Sequence, residues 1–206
     1  MLIDLTHPIR DGLPVYPGDP STKLARSAEF SRDGYNNHLL TVNMHAGTHI
    51  DGHMHMTDCT EYINEYPLDV FIGEGCLLDA RSCEAVRNKP EYEQAVSEGQ
   101  IVLVHTGHGA RFEEPDYYTD YPALTLEFAE MLVRKKIKMI GVDTPSVDKY
   151  PFDVHHLLFK HKIPIIENLA NLHLLRGAPR FEITALPLNI RADSSIARVI
   201  AKIFET

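Results

Sequence analysis

The sequence contains no run of 18 consecutive apolar residues, so it holds no segment suited to spanning a bilayer. Cysteine is scarce: Cys59, Cys76 and Cys83 are an odd number with no Cys-x-x-Cys pair. That pattern argues against a disulfide framework and reads as reduced thiols of a cytoplasmic protein. Positive charge is in deficit, with 20 Lys and Arg against 29 Asp and Glu for a net charge of -9. No basic stripe survives that balance, and nucleic acid is not an expected partner. The opening MLIDLTHPIR places Asp4 where a secretory leader would carry its apolar stretch, which predicts no leader. Internal repeats, low-complexity tracts and Ser/Gly linkers are missing too. So is a protein nucleophile motif: there is no G-x-S-x-G, and no cysteine lies within the histidine-rich segment described below.

What remains is a chain of 206 residues of ordinary globular composition. It is long enough to bury roughly 70% of its unfolded surface without help from disulfides. We expect a single domain over residues 1–206. Short apolar runs bounded by Gly or Pro (Cys76–Asp79, Ile101–His105, Ile137–Val142, Ile163–Glu167, Phe181–Ile190) read as strands, several buried on both faces. Thr125–Lys136 reads as a helix capped by Thr125, with Leu126, Ala129, Leu132 and Val133 on one face. Shorter helices are expected over Glu91–Glu98, begun by Pro90 and closed by Gly99, and over Asp153–His161, with Asp153 as cap. Ser194–Phe204 alternates like a strand but suits an amphipathic helix nearly as well. The fold class is α/β with a mixed sheet.

Histidine is the unusual abundance, with 12 in the chain and five of them between positions 38 and 55. In Thr41–Met56, TVNMHAGTHIDGHMHM, the ligating residues His45, His49, Asp51, His53 and His55 all fall at odd positions. An extended segment would put them on one face, whereas a helix would throw Asp51 off it. Gly47, Thr48, Ile50 and Gly52 also disfavour a helix. Thr41, Val42, Met44 and Ile50 look like core beside them. Imidazole and carboxylate donors in this density suit zinc, manganese or iron(II). Farther on, His155 and His156 lie on the short helix. Glu167 ends the apolar run IPIIE, where it is a wet strand end, half of an ion pair, or a metal ligand. His105 and His108 follow a buried strand and belong either to a pocket or to a polar loop. His7, His38, His161 and His173 read as structural or surface residues.

The run His45-Ala-Gly-Thr-His49-Ile-Asp51, with His55 four residues on, resembles the signature of the cyclase-like metal-dependent hydrolases, the family of bacterial kynurenine formamidase (arylformamidase) and isatin hydrolase. IDLTHPI, VYPGDP (Val15–Pro20), GVDTPSVD (Gly141–Asp148) and IPIIENLANL (Ile163–Leu172) are similar to the family's other landmarks, so the resemblance runs nearly the whole length. It implies a swivelling β/β/α fold with a mixed sheet, two divalent ions per chain, zinc or manganese, and a homodimer. Carried over by position, it implies His45, His49 and Asp51 as ligands of a first ion, with His155 and Glu167 completing the site and Asp51 and Glu167 shared. It implies His55 as the acid/base and Tyr16, where the formamidase typically has Trp, as a substrate contact. A structural turn role for Tyr16 stays equally open.

The implied reaction is hydrolysis of a small-molecule amide by an ion-held hydroxide, specifically N-formyl-L-kynurenine to L-kynurenine and formate in tryptophan catabolism. A hydrolase of a cyclic amide such as isatin, or a non-catalytic metal-binding protein, are the alternatives. The chain departs from the family pattern at Gly52-His53-Met54, where Ala-Pro-x is usual, and at Tyr16. Both departures bear on the substrate more than on the ligands.

Overall fold

In the computed structural model, which describes residues 1–204, each expected strand forms, with its ends trimmed or extended by a few residues. The last two positions of the expected 1–206 domain lie outside the described residues. The strands are β1 (Leu2–Asp4), β2 (Lys23–Ala28), β3 (Asn37–Thr41), β4 (His49–Asp51), β5 (Ile72–Asp79), β6 (Ala85–Val86) and β7 (Ile101–His105), followed by β8 (Ala123–Leu124), β9 (Met139–Val142), β10 (Ile165–Glu167), β11 (Phe181–Pro187) and β12 (Ser194–Ile203). The α-helices are α1 (Phe30–Asp33), α2 (Pro90–Ala95), α3 (Leu126–Arg134) and α4 (Asp153–Lys160).

Eight strands form one mixed sheet in the order β1-β12-β11-β5-β7-β9-β10-β4, and β12 also pairs with β4, so the sheet closes on itself. The β5, β7, β9 and β10 neighbours run parallel, and the remaining pairs are antiparallel. The strand β7, IVLVH, shows why its run is apolar throughout. Ile101 and Leu103 join a cluster with Ile50, Met139, Ile166, Ile183 and Val199. Val102 and Val104 face the opposite way, into a cluster with Phe128, Leu132, Leu158 and Phe159 from α3 and α4. Both faces of the strand are covered, as parallel strands require.

The helices begin where side chains satisfy their first N–H groups. Thr125 accepts a hydrogen bond from the Phe128 N–H, as its sequence position predicts. The buried stripe of α3 is Phe128, Ala129, Met131 and Leu132, whereas Leu126 stays exposed in the first turn. The α4 cap differs from expectation. Phe152 occupies the cap position with φ 66°, and the carboxylate of Asp148 reaches over from the preceding loop to take the N–H groups of Val154 (2.6 Å) and His155 (3.4 Å). Asp153 lies inside the helix. The helix α2 ends at Ala95, earlier than Glu98, because the Ser97 N–H turns to the side chain of Gln100.

Ser194–Ile203 is a strand and not a helix. Its period-2 pattern matches two-sided pairing: Ala197, Val199 and Ala201 are buried, Arg198 and Lys202 are exposed, and the strand pairs with β11 on one side and with β4 and β1 on the other. By contrast β2 and β3 pair only with each other, and every residue of β3 is exposed. Among the described residues no helix is long and apolar enough to cross a membrane.

Candidate metal centre

The short strand β4 sits between β10 and β12, and this placement assembles the site. Opposite His49 lies Glu167, and opposite Asp51 lies Ile165 on one side and Ser194 on the other. His49 and Asp51 share one face of the strand while Ile50, between them, enters the core. The expected single face holds for these two residues only. The chain turns at Asn43–Gly47, where Gly47 takes φ 63°, and turns again in a short 3-10 segment at His53–His55. His45 and His55 therefore reach the site from turns that flank the strand. Thr41 is exposed, and Val42 and Met44 are only half-buried, so the expected core flank is carried by Ile50 alone.

His53, in register with the others by sequence, is rotated out. Its ring stacks on Tyr66 at 4.7 Å, its backbone N–H donates to the Tyr66 hydroxyl, and burial pushes its pKa down. Gly52 permits this turn by close approach. A Cβ there would meet the Asp193 carbonyl at 2.6 Å and the Tyr66 hydroxyl at 2.8 Å.

Three groups of donor atoms arise, each with all its atoms within 4.8 Å of one another: His45, His49 and Asp51; Asp51, His155 and Glu167; and, half-buried at the edge, His45, His55 and Asp193. The His45 Nδ1 lies 2.8 Å and the His49 Nε2 3.4 Å from Asp51 Oδ1. The two Glu167 oxygens lie 3.5 Å from His49 Nε2 and 3.4 Å from His155 Nε2. Donors bound at about 2.0–2.2 Å to one ion span at most ~4.4 Å, so this spacing is close to what an ion would need.

Each ligating imidazole also has its other nitrogen held by an oxygen. His49 Nδ1–H donates to the Gly47 carbonyl (2.8 Å), His155 Nδ1–H to Asp148 (2.6 Å), and His45 Nε2–H to Asp193 (3.0 Å). The outward N–H fixes the tautomer and turns the opposite lone pair inward, the usual arrangement around a metal.

The electrostatics of the cluster ask for a cation. Burial works against a charged His45 or His155. Asp193 and Asp51 overcome it at His45, and Asp148 and Glu167 overcome it at His155, carrying each pKa up to about 10. At Asp51 burial opposes the charge as well, yet His49 and His45 hold the carboxyl well below its ordinary range. His49 Nε2 is nevertheless buried without a hydrogen-bond partner, and Asp51 Oδ1 has no well-aligned donor although the His45 Nδ1 lies 2.8 Å away. Buried polar atoms left in that state cost about 1–3 kcal/mol each, and a divalent ion between them would satisfy both. With the second ring proton of His45 and His155 displaced by an ion, the donor set of imidazoles and carboxylates fits zinc or manganese.

Above the cluster lies a cavity of about 200 Å³ lined by the ligating residues and by Tyr16, Asp19, His55, Met56, Tyr118, Ser146 and Phe152. Tyr16 is 41% exposed and sits edge-on to Tyr118 at 5.9 Å between ring centres. His55 presents Nδ1 to Asp193 at 3.2 Å, and its ring lies 4.1 Å from that of His45.

The structure thus gathers His45, His49, Asp51, His55, His155, Glu167 and Tyr16 around one cavity. His156, by contrast, is exposed and bonds the Met56 carbonyl. His108 is a packed loop residue, stacked on Tyr117 and bonded to its carbonyl. His105 lines a different cavity, beside His7, Arg81 and His173. Three contributors escaped sequence reasoning: Asp148, Asp193 and the Gly47 carbonyl. The GVDTPSVD motif pointed at the region of Asp148. Nothing in RADSS marks Asp193, because its partner histidines lie about 140 residues away in the chain.

These features define a candidate site for divalent metal ions beneath a cavity. Direct comparison then gives the family: residues 3–149 match the family described as "Putative cyclase", and the chain belongs to it. It is 33% identical over 211 residues to a kynurenine formamidase of Bacillus mycoides (strain KBAB4), and 34% identical to one of Bacillus thuringiensis subsp. konkukian (strain 97-27). Both alignments cover 97% of this chain and 96% of the relative. Among solved structures, isatin hydrolase A from Labrenzia aggregata, bound to benzyl benzoate, superposes with TM-score 0.87 at 23% identity, covering 100% of this chain and 94% of that one. A potential metal-dependent hydrolase with cyclase activity gives TM-score 0.79 at 25% identity, covering 100% and 99%.

Proposed function

We propose that the chain hydrolyses an aryl formamide, N-formyl-L-kynurenine, to L-kynurenine and formate. The observation that carries this reading is the convergence of two buried imidazoles, one half-buried imidazole and two buried carboxylates beneath a cavity with aromatic walls, with a further histidine held at its edge. The curated relatives named kynurenine formamidase support the substrate. In the proposed site His45, His49 and Asp51 hold one ion, His155 and Glu167 complete a second position, and Asp51 and Glu167 serve both. Zinc or manganese, two per chain, suits these donors. An ion held by these residues would supply Lewis acidity, activating water near neutral pH and polarising a carbonyl oxygen.

The chain's own side chains do the rest. Tyr16 and Tyr118 pack against the aryl ring and orient the formyl carbon toward the donors. As the water oxygen adds to that carbon, His55 takes the water's proton at Nε2. It returns a proton to the aryl nitrogen as the C–N bond breaks, so that nitrogen leaves as a neutral amine. The other product is formate.

A second reading is supported by the isatin hydrolase fold: the same donors opening a cyclic amide. Purified protein assayed for bound metal, then for turnover of N-formylkynurenine and isatin with and without chelator, separates the possibilities. Chelator-sensitive hydrolysis of N-formylkynurenine well above that of isatin supports the proposal. Faster isatin turnover favours the cyclic amide, and metal uptake with turnover of neither points to a binding protein.

The same reading includes a homodimer. In support, the β2–β3 hairpin leaves Phe30 68%, Tyr35 59% and Leu39 64% exposed, and a two-stranded hairpin standing alone is marginal in water. Light scattering on the purified chain tests this, and a monomer at micromolar concentration contradicts it. The three cysteines are unpaired, which suits a reducing, cytoplasmic setting.

A further inference from the structure

We propose that Asp193 is a positioning residue that sets the tautomers of two histidines at once, so that one carboxylate aligns both an ion ligand and the proton carrier. The kinetic half of this inference rests on the hydrolase reading above, and the metal half does not.

A single oxygen, Oδ2 of Asp193, lies 3.0 Å from His45 Nε2 and 3.2 Å from His55 Nδ1, and the Ser194 hydroxyl donates to it at 3.1 Å. A neutral imidazole carries one N–H. An ionised carboxylate cannot donate, so the His55 Nδ1 that faces Asp193 carries the N–H. His45 lies between two carboxylates, Asp51 at Nδ1 (2.8 Å) and Asp193 at Nε2 (3.0 Å), and its N–H settles at Nε2, shared between Asp193 and the Ser194 hydroxyl (2.9 Å), once Nδ1 is given to an ion. For His45 this leaves the Nδ1 lone pair facing Asp51 and His49. For His55 it leaves Nε2 as the nitrogen that exchanges protons, and the imidazolium formed in that exchange has a counter-charge waiting at its back.

The fold holds Asp193 there. Its neighbour Ser194 pairs with Asp51 across β12 and β4, and its own carbonyl accepts the Gly52 N–H at 3.0 Å. The backbone that carries His55 is therefore tied to the backbone that carries Asp193, and Gly52 lacks the Cβ that would push them apart. The proton that His55 takes from water is the proton it hands to the departing nitrogen, and Asp193 keeps none.

The test uses Asp193→Asn, which preserves shape, and Asp193→Ala, each checked for a native melting temperature. Zinc affinity is measured by competition with a chromophoric chelator, which requires no turnover. Both variants are expected to bind zinc 10- to 100-fold more weakly, the range for losing an oxygen that orients a metal-bound histidine. With ring-substituted formanilides at saturating zinc, kcat is expected to fall 10- to 100-fold with KM within about threefold, and to fall most for the poorest leaving groups. In a His55→Ala background, Asp193→Asn is expected to add less than threefold, because the carrier it aligns is gone.

Zinc affinity within threefold of wild type overturns the His45 half. An unchanged leaving-group dependence, or an undiminished Asp193→Asn effect on kcat in the His55→Ala background, overturns the His55 half. Wild-type protein that hydrolyses no amide sinks the hydrolase reading, and the zinc competition still decides the role of Asp193 toward His45.

Discussion

The site has a dry half and a wet half. The side chains of His49, Asp51, His155 and Glu167 are 1–7% exposed, whereas His45, His55 and Asp193 are 21%, 26% and 36% exposed. The dry half concentrates two carboxylates where water cannot screen them, and such a place is stable only around positive charge. The wet half opens on the cavity, where a proton can be exchanged with substrate and solvent. In the proposed site the difference is a division of labour: the buried groups hold ions together with the half-exposed His45, and at the open edge His55 moves protons while Asp193 orients both histidines.

The sharpest way to break that division is His55→Ala. It should leave metal content unchanged and lower kcat about 100- to 10,000-fold, the range for a general acid/base, as followed by elemental analysis and steady-state kinetics. Loss of metal in step with activity would make His55 a ligand and erase the distinction. Glu167→Gln probes the dry half. Removing one partner from a buried charge cluster costs about 3–5 kcal/mol, so metal affinity should drop roughly 100- to 5,000-fold and activity should fall with it. Full metal loading in this variant would show that the carboxylate braces the site from outside.

Tyr16→Ala tests the cavity wall. An aromatic contact is worth about 0.5–1.5 kcal/mol beyond its buried area, so KM for aryl substrates should rise a few-fold to tenfold while metal content stays constant. An unchanged KM would assign Tyr16 to the turn alone.

The smallest effect sharpens the contrast from outside. His7 is half-buried against Phe112, with ring centres 3.9 Å apart, and no acid bonds it. Burial pushes its pKa down to about 4, with Glu113 opposing only weakly. The unfolded chain therefore takes up this proton first as pH falls. The contribution is fully present above about 6.5 and is lost as pH drops toward 4. His7→Gln should make stability less dependent on pH across that window, by on the order of 1 kcal/mol after solvent screening. Urea unfolding at pH 7 and pH 4.5 measures it, and identical pH dependence in the two proteins would show that His7 is not buried as a neutral ring.

Much of this was legible from the sequence, for identifiable reasons. Buried parallel strands write themselves as short apolar runs, so β7, β9 and β10 were readable within a few residues. His49 and Asp51 obeyed the alternation of a strand. The same alternation misplaced His53, because the chain leaves the strand at Gly52 and enters a tight turn that sends that ring to Tyr66. Cap geometry misled at Asp153, where the helix is capped by Asp148 across a loop. Asp193 left no local trace at all, since only closure of β12 against β4 brings it to His45 and His55. Local rules thus recovered the ligands that share a strand, and tertiary closure supplied the groups that orient them.

The central claim is two ions per chain that share Asp51 and Glu167. Titrating metal-free protein with zinc while recording bound metal and turnover of N-formylkynurenine tests it directly. The account predicts saturation at two zinc ions per chain, with full activity only at the second, and a His155→Ala variant that retains one. Saturation at one ion per chain with full activity at that point would contradict it.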